Sequence, residues 1–347
     1  MPALRSFASD NNAGVHPAVL KALVAANAGP DVVAYGGDML TRKVEARLAR
    51  EFGAHSAHIV LNGAAANVLC MAAGLKAHQA ALCAQAAHVA NDEGGATERF
   101  VGCKLIGVKT ENGKFTAREL ERALDSLAGG RVLPRLVSVT QCTEVGTVYS
   151  LSELKAISKV CRRRGLLLHM DGARLSNAAA RLGVSLKRLT RGCGVDLLSF
   201  GLTKNGALMA DAVVIFDREL DEGFRLIRMQ GLQLASKQRF MAAQFAAMLD
   251  GGLWLENARR ANEAAALLAR EARRVRGVEL AYPVETNAVF VRLPRKLLER
   301  FGRRRFFYVW DRERSVARWM CSFATTARDV RAFVADLRRC GGPGWKS

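Results

Sequence analysis

Ser199-Phe200-Gly201-Leu202-Thr203-Lys204-Asn205-Gly206 is the stretch around which the chain reads. Before it, Gly194-Val195-Asp196-Leu197-Leu198-Ser199 has the length and apolar content of a short buried strand, and Asp211-Ala212-Val213-Val214-Ile215-Phe216 after it has the same character. Lys204 therefore falls in a tight connection between two core strands. The flanking glycines are expected to let a ligand approach the backbone, and a lysine so placed is a candidate for covalent chemistry with a carbonyl. Most loop lysines are solvated surface groups, so the neighbouring stretches have to carry the reading further.

Upstream, Gly165-Leu166-Leu167-Leu168-His169-Met170-Asp171-Gly172-Ala173-Arg174 is an apolar run that ends in an aspartate and, three residues later, an arginine. Both fall at the carboxyl end of a strand, the edge at which open α/β sheets bind ligands. His58-Ile59-Val60-Leu61-Asn62 reads as a further strand, Gly63 as its turn and 64–74 as an Ala-rich helix. A turn of that kind leaves free amides and the positive end of the helix dipole facing outward, which suits a phosphate, although an ordinary tight turn has the same composition. A strand at 80–85 leads to His88 and the acidic pair Asp92-Glu93. A lone histidine there is more often structural than catalytic.

Helices predicted at 41–52, 115–127 and 151–164 alternate with these strands and with two more at 104–109 and 135–141. The alternation from 58 to 216 predicts an α/β fold with a mostly parallel central sheet covered on both faces. Beyond 216 the pattern predicts helix over 231–249 and 253–276. A smaller unit follows, with strands at 278–281, 288–293 and 317–323 and a terminal helix at 328–338. The division expected is an N-terminal arm (1–20), a large domain (21–245), a small C-terminal α+β domain (246–340) and a frayed tail (341–347). Neither a dinucleotide-binding G-x-G-x-x-G nor a P-loop occurs.

Composition narrows the function classes. A chain of 347 residues, half of them hydrophobic, can bury a substantial core. Its longest apolar run stops at Lys76, short of a membrane span. The first ten residues lack the core of a secretory signal, so the expected compartment is the cytoplasm. Eight scattered cysteines without a C-x-x-C pair suit reduced core thiols, and six histidines without metal-ligand spacing predict no metal centre. The formal charge of +20 invites a nucleic-acid hypothesis. The basic residues are nevertheless spread over the helical segments with no recognition motif, so neither a nucleic acid nor a membrane is an expected partner.

Lys204, Asp171, Arg174, His88 and the Gly63 turn are together the parts a pyridoxal 5′-phosphate (PLP) site needs: a Schiff-base lysine, a carboxylate for the pyridine nitrogen, a carboxylate-gripping arginine, a stacking ring and a phosphate turn. The chain resembles the low-specificity threonine aldolases, PLP enzymes of fold type I with the aspartate-aminotransferase-like architecture. The resemblance rests on Ser9-Asp10-Asn11, Tyr35-Gly36-Gly37-Asp38, Asn62-Gly63-Ala64-Ala65-Ala66-Asn67, His88-x4-Glu93 and Thr143-Glu144-Val145-Gly146-Thr147. It continues through His169 to Arg174, Phe200 to Gly206, Ser236-Lys237-Gln238-Arg239 and Arg318-Trp319-Met320-Cys321-Ser322-Phe323.

The resemblance implies that Lys204 carries the Schiff base, that Asp171 pairs with the pyridine nitrogen and that His88 stacks on the ring near the substrate hydroxyl. It also implies that Gly63 and Ala64 hold the phosphate, with Lys237 or Arg239 reaching the phosphate of a neighbouring subunit. Ser9, Tyr35, Arg174 and Arg318 are implied to hold the amino-acid substrate, and Glu93 to orient a water or assist proton transfer. The family's usual threonine after the phosphate-turn glycine is Ala64 here, which removes one hydroxyl donor. The implied activity is retro-aldol cleavage of L-threonine and related β-hydroxy-α-amino acids to glycine and an aldehyde, in a homodimer or homotetramer with sites at the subunit interface. Alternatives left open are β-elimination or racemisation on the same scaffold and, more remotely, a basic nucleic-acid-binding protein.

Overall fold

The structure, a computed structural model, describes residues 5–341. Seven strands form the main sheet: β1 (Ser56–Val60), β2 (Gln79–Ala84), β3 (Lys104–Val108), β4 (Leu133–Thr140), β5 (Leu167–Gly172), β6 (Leu197–Gly201) and β7 (Asp211–Ile215). Their order is β1-β7-β6-β5-β4-β2-β3. Neighbours from β6 through β5, β4 and β2 to β3 are parallel, while β7 runs antiparallel to both β6 and β1. Because β7 reverses between them, β1 points the same way as β6, and its end meets the same sheet edge. Every residue of β6 and β7 is buried, which explains why both read as unbroken apolar runs rather than alternating ones.

The covering helices start and stop where local chemistry dictates. Helix Met39–Phe52 opens on Asp38, whose carboxylate accepts the Thr41 amide at 2.8 Å, and ends on Gly53 with φ 63°. Helices Ala117–Ser126 and Leu151–Arg163 each begin with a reciprocal capping box, Thr116 with Glu119 and Ser150 with Glu153. Phe52 and Phe245 close on Phe200 of β6 from their helices, with ring centroids 5.0 and 6.4 Å away.

The smaller sheet holds β8 (Glu279–Leu280), β9 (Ala288–Arg292), β10 (Tyr308–Asp311) and β11 (Val316–Met320), all antiparallel in the order β10-β11-β9-β8. Its core is aromatic: Trp319 and Phe301 both pack edge-on against Phe333, at 5.1 and 4.9 Å. The N-terminal arm ties this core to the main sheet. Phe7 is buried against Phe333 at 4.3 Å and its carbonyl accepts the Met320 amide, while further on the His16 amide bonds to the Gly206 carbonyl at 2.8 Å.

Several expectations are corrected. Residues 231–238 are turns and irregular backbone, and the helix expected there begins only at Arg239. The helix Arg239–Leu249 runs through the expected boundary at 245 and buries Met248 and Leu249 in the larger core. The helix expected from residue 64 includes Gly63 itself. Strand β10 is additional to the expected elements. Of the expected tail, 342–347 lie outside the described residues, and Gly341 ends the helix Ala327–Gly341.

Candidate active site

Five strand ends meet at one edge of the main sheet. β1 delivers Gly63, β2 the His88 loop, β4 Thr140 and Glu144, β5 Asp171 and Arg174, and β6 Lys204, while β7 starts there at Asp211. These residues line a single cavity of about 190 Å³. The sheet edge is thus a ligand site by topology as well as by composition.

Lys204 lies in a 3-10 turn, Thr203–Asn205, pinned from the helix Leu253–Ala272 side: the Asn257 amide group donates to the Asn205 carbonyl at 2.9 Å, and Asn205 donates to the Trp254 carbonyl at 2.7 Å. The glycines flanking Lys204 sit where close packing leaves little room for a side chain. A Cβ at Gly201 would stand 2.8 Å from Asp211 Oδ1, and one at Gly206, where φ is 115°, would stand 2.9 Å from Asn257 Nδ2. Burial, with the Arg174 charge beside it, holds the Lys204 amine below the ordinary lysine range, although Asp10, Asp171 and Asp211 pull the other way. A lysine that loses its proton more readily is a better nucleophile.

Asp171 is buried and accepts from Asn67 Nδ2 at 2.9 Å and from the Ala173 amide at 3.0 Å. Asn67 is the hub of the site. Its amide also donates to Glu93 Oε1 at 2.8 Å, and its carbonyl accepts the Ser199 hydroxyl at 2.6 Å. His88 joins through Nδ1, 2.9 Å from the same Glu93 oxygen. That hydrogen bond raises the His88 pKa above its usual value against the opposing effect of burial. Glu144 accepts from the Thr140 hydroxyl and the His88 amide, and Asp211 accepts the Thr203 hydroxyl at 2.9 Å.

Arg174 is held in a fork by Asp10 of the arm. Nε donates to Oδ2 at 2.7 Å and Nη2 to Oδ1 at 2.8 Å, and Asn287 of the small domain adds a bond to Oδ2 at 3.0 Å. Burial alone would raise the Asp10 pKa, but the Arg174 charge and hydrogen bonds outweigh it and hold the carboxyl below its usual range. Arg318, on β11, stacks on its cross-strand partner Tyr308 at 5.1 Å and on Trp310 at 5.8 Å, and its Nε is unpaired.

The structure therefore brings together Gly63, Ala64, His88, Glu93, Asp171, Arg174 and Lys204 in one cavity, with Arg318 within electrostatic reach of Arg174 and Asp10. The other residues named from sequence sit elsewhere. Ser9 uses its hydroxyl to cap the Asn11 amide at 3.2 Å. Tyr35 and Lys237 are exposed, their segments joined by the Tyr35 amide bonding to the Ser236 carbonyl, and Arg239 lies over Phe240. None of these four lines the cavity. Asp10, Asn67, Glu144 and Asp211 had no assigned role, although the first three fall inside quoted motifs.

The residues present fit PLP. At the N-terminus of the helix Gly63–Gly74 the Asn62 side chain takes the Ala65 amide at 2.8 Å, and the amides of Gly63 and Ala64, two residues that line the cavity, have no acceptor among the described residues. A Cβ at Gly63 would meet no atom within 4 Å, so the cradle is open. Unpaired amides at a helix N-terminus, a buried amine and a buried carboxylate are the donors and acceptors that the cofactor's phosphate, aldehyde and ring nitrogen require.

Fold and site together define a fold type I, PLP-dependent enzyme. Residues 6–295 match the profile of the beta-eliminating lyases, and the chain belongs to that family. Low-specificity L-threonine aldolases from Pseudomonas aeruginosa and from a further Pseudomonas species are 42% and 40% identical over 338 and 337 residues, covering 96% of this chain and 97% of each relative. The solved structure of a Leishmania major threonine aldolase superposes with a TM-score of 0.90 at 27% identity, over 97% of this chain and 99% of that one.

Proposed function

We propose that this enzyme cleaves L-threonine, L-allo-threonine and related β-hydroxy-α-amino acids to glycine and an aldehyde, acetaldehyde in the case of threonine. The observation that carries the reading is the meeting of the Lys204 amine, the Asp171 carboxylate and the unpaired Gly63 and Ala64 amides in one cavity. When bound, PLP supplies an electron sink for the pair released by the breaking Cα–Cβ bond.

The residues divide the remaining work. Lys204 would attach the cofactor covalently, its lowered basicity favouring the free amine that this needs. Asp171, fixed by Asn67 and the Ala173 amide, would keep the ring nitrogen protonated. The Gly63 and Ala64 amides would hold the phosphate, and the His88 ring, oriented by Glu93, would stack beside it. Arg174 and Arg318 would hold the substrate carboxylate. Asp10 already occupies Nε and Nη2 of Arg174, so the remaining edge of the guanidinium is the part offered to the substrate. The β-hydroxyl proton passes to a base among the groups that line the same cavity.

A dimer or tetramer with sites at the interface accommodates the residues that their own cavity does not use. Tyr35, Lys237 and Arg239 lie on or beside a surface bearing exposed Val32, Val33, Met39 and Leu232, a distribution suited to contact with a second copy. Among the described residues no helix is long and apolar enough to cross a membrane. A cytoplasmic location is supported by eight free, buried cysteines.

Product analysis with L-threonine tests the reaction. Acetaldehyde and glycine in equal amounts are expected. Ammonia and 2-oxobutanoate instead would show that the same site runs an elimination.

A further inference from the structure

Glu144 has no part in the reading above, yet it lines the same cavity as Lys204 and His88. It follows the end of β4, four residues beyond Thr140. One of its oxygens is committed: Oε1 accepts the Thr140 hydroxyl at 2.8 Å and the His88 backbone amide at 3.0 Å. The other, Oε2, is shut off from solvent and has no hydrogen-bond partner among the described residues. A buried carboxylate oxygen is costly to leave unpaired, and a small rotation of the carboxyl toward the cavity that Glu144 lines would let a hydroxyl of a bound molecule satisfy it.

The other groups in the cavity are less suited to take a proton. His88 has Nδ1 bonded to Glu93, and that bond keeps the imidazole charged to higher pH than usual, which favours a donor over an acceptor. Glu93 also has an unpaired Oε2, but its Oε1 is bracketed by His88 and Asn67, so it serves as the acceptor that orients both. Glu144 is held only by neutral donors. Burial pushes its pKa up to about 7, with Asp171 of β5 adding to the rise and the bonds from Thr140 and His88 opposing it. Cys83 of β2 and Tyr149, after β4, also feel the Glu144 charge, and both are neutral at that pH. A carboxyl poised near neutrality can both take and return a proton.

We propose that Glu144 is a catalytic residue of the aldol cleavage, accepting on Oε2 the proton of the substrate's β-hydroxyl. The O–H bond breaks and its proton moves to the carboxylate. The oxygen's electron pair becomes the second bond of the aldehyde carbonyl, and the Cα–Cβ pair moves into the cofactor's sink. Once the aldehyde has left, Cα takes up one proton to complete glycine and Glu144 gives up the one it holds, so the cleavage involves no net gain or loss of protons. This assignment rests on the reaction proposed above.

Glu144→Gln tests it, because glutamine keeps the side-chain shape and an acceptor for Thr140 and the His88 amide. Turnover of L-threonine is expected to fall by about 100-fold or more, the usual scale for losing a general base. Glycine has no hydroxyl, so its affinity, read from the cofactor's visible spectrum, is expected to stay at the wild-type value. Thr140→Val removes a bond that favours the ionised carboxyl, so the acid limb of the kcat/KM profile is expected to move to higher pH. Infrared titration of the PLP-free protein, wild type minus Glu144→Gln, is expected to show one carboxyl ionising near neutral pH. Turnover by Glu144→Gln within about threefold of wild type would overturn the assignment. So would an equal loss of glycine binding, which marks a structural role, or a large loss confined to a parallel Glu93→Gln variant. A wild-type enzyme that releases no aldehyde would remove the reaction itself, and with it this proposal.

Discussion

Asp10→Asn tests how the arm serves the site. The Asp10 carboxylate receives both arms of the Arg174 fork and a third bond from Asn287, with side chains 1% and 19% exposed for aspartate and arginine. Asparagine keeps one acceptor and turns an amide N–H toward a guanidinium N–H. One charge-assisted bond is lost and the buried arginine loses its counter-charge. Breaking one side of a buried pair costs about 3–5 kcal/mol, and the retained acceptor places the expectation at about 3. If that cost fell wholly on substrate binding through a displaced Arg174, it would be about 100-fold in kcat/KM. Part of it falls on folding, so the expected outcome is a tenfold or so rise in KM for L-threonine at nearly unchanged kcat, with a lower urea midpoint for the PLP-free protein. The pH dependence has a definite sign. The folded Asp10 pKa lies below its unfolded value, so the pair stabilises the fold above the ordinary carboxylate range and that stability is lost as pH falls through the lowered value. The variant should lack that share of the acid-induced loss. Wild-type KM together with a wild-type urea midpoint would refute the reasoning.

Two further outcomes follow from the cradle and the hub. Ala64→Thr supplies a hydroxyl at the phosphate end of the cavity, and PLP titration of the cofactor-free protein should show about two- to tenfold tighter binding, corresponding to a hydrogen bond of about 0.5–1.5 kcal/mol. Unchanged affinity would place the phosphate away from the Gly63 turn. Asn67→Leu strips donors from the buried Glu93 and Asp171 and an acceptor from Ser199, and chemical unfolding should show a loss of at least about 3 kcal/mol. An unfolding midpoint equal to wild type would show that the hub is not holding the network.

What could be read from the sequence was what sequence encodes locally. The buried runs at β5, β6 and β7, the glycine at the phosphate turn and the residues at strand ends follow from period, length and punctuation, so Lys204, Asp171, Arg174 and Gly63 were visible. β10 was hidden because Tyr308 to Asp311 is largely surface-facing and lies among arginines, with no apolar alternation to mark it. The non-helical stretch 231–238 is masked in the sequence by the apolar residues Leu232 and Ala235, three apart as on a helix face, although Leu232 is exposed at φ 59°. The pairings that organise the site were beyond local reading: Asp10 meets Arg174 across 164 residues, and Asn67 meets Asp171 across 104. A short polar side chain, whether on the helix as Asn67 is or at a strand end as Asp171 is, carries no local mark of its partner. The glycines around Lys204 have a packing role that local reading does not show: a side chain at Gly201 would crowd Asp211 and Ala173, and one at Gly206 would crowd Asn257, 51 residues away in sequence, at a φ of 115°.

The central claim is that Lys204 is the covalent anchor of the cofactor. Borohydride reduction of the PLP-loaded protein, followed by proteolysis and mass spectrometry, tests it most directly. The account predicts a single phosphopyridoxyl group on the peptide containing Lys204, absent when Lys204→Ala is treated in the same way. A modified peptide carrying a different lysine, or none at all under conditions that saturate the cofactor, would contradict it.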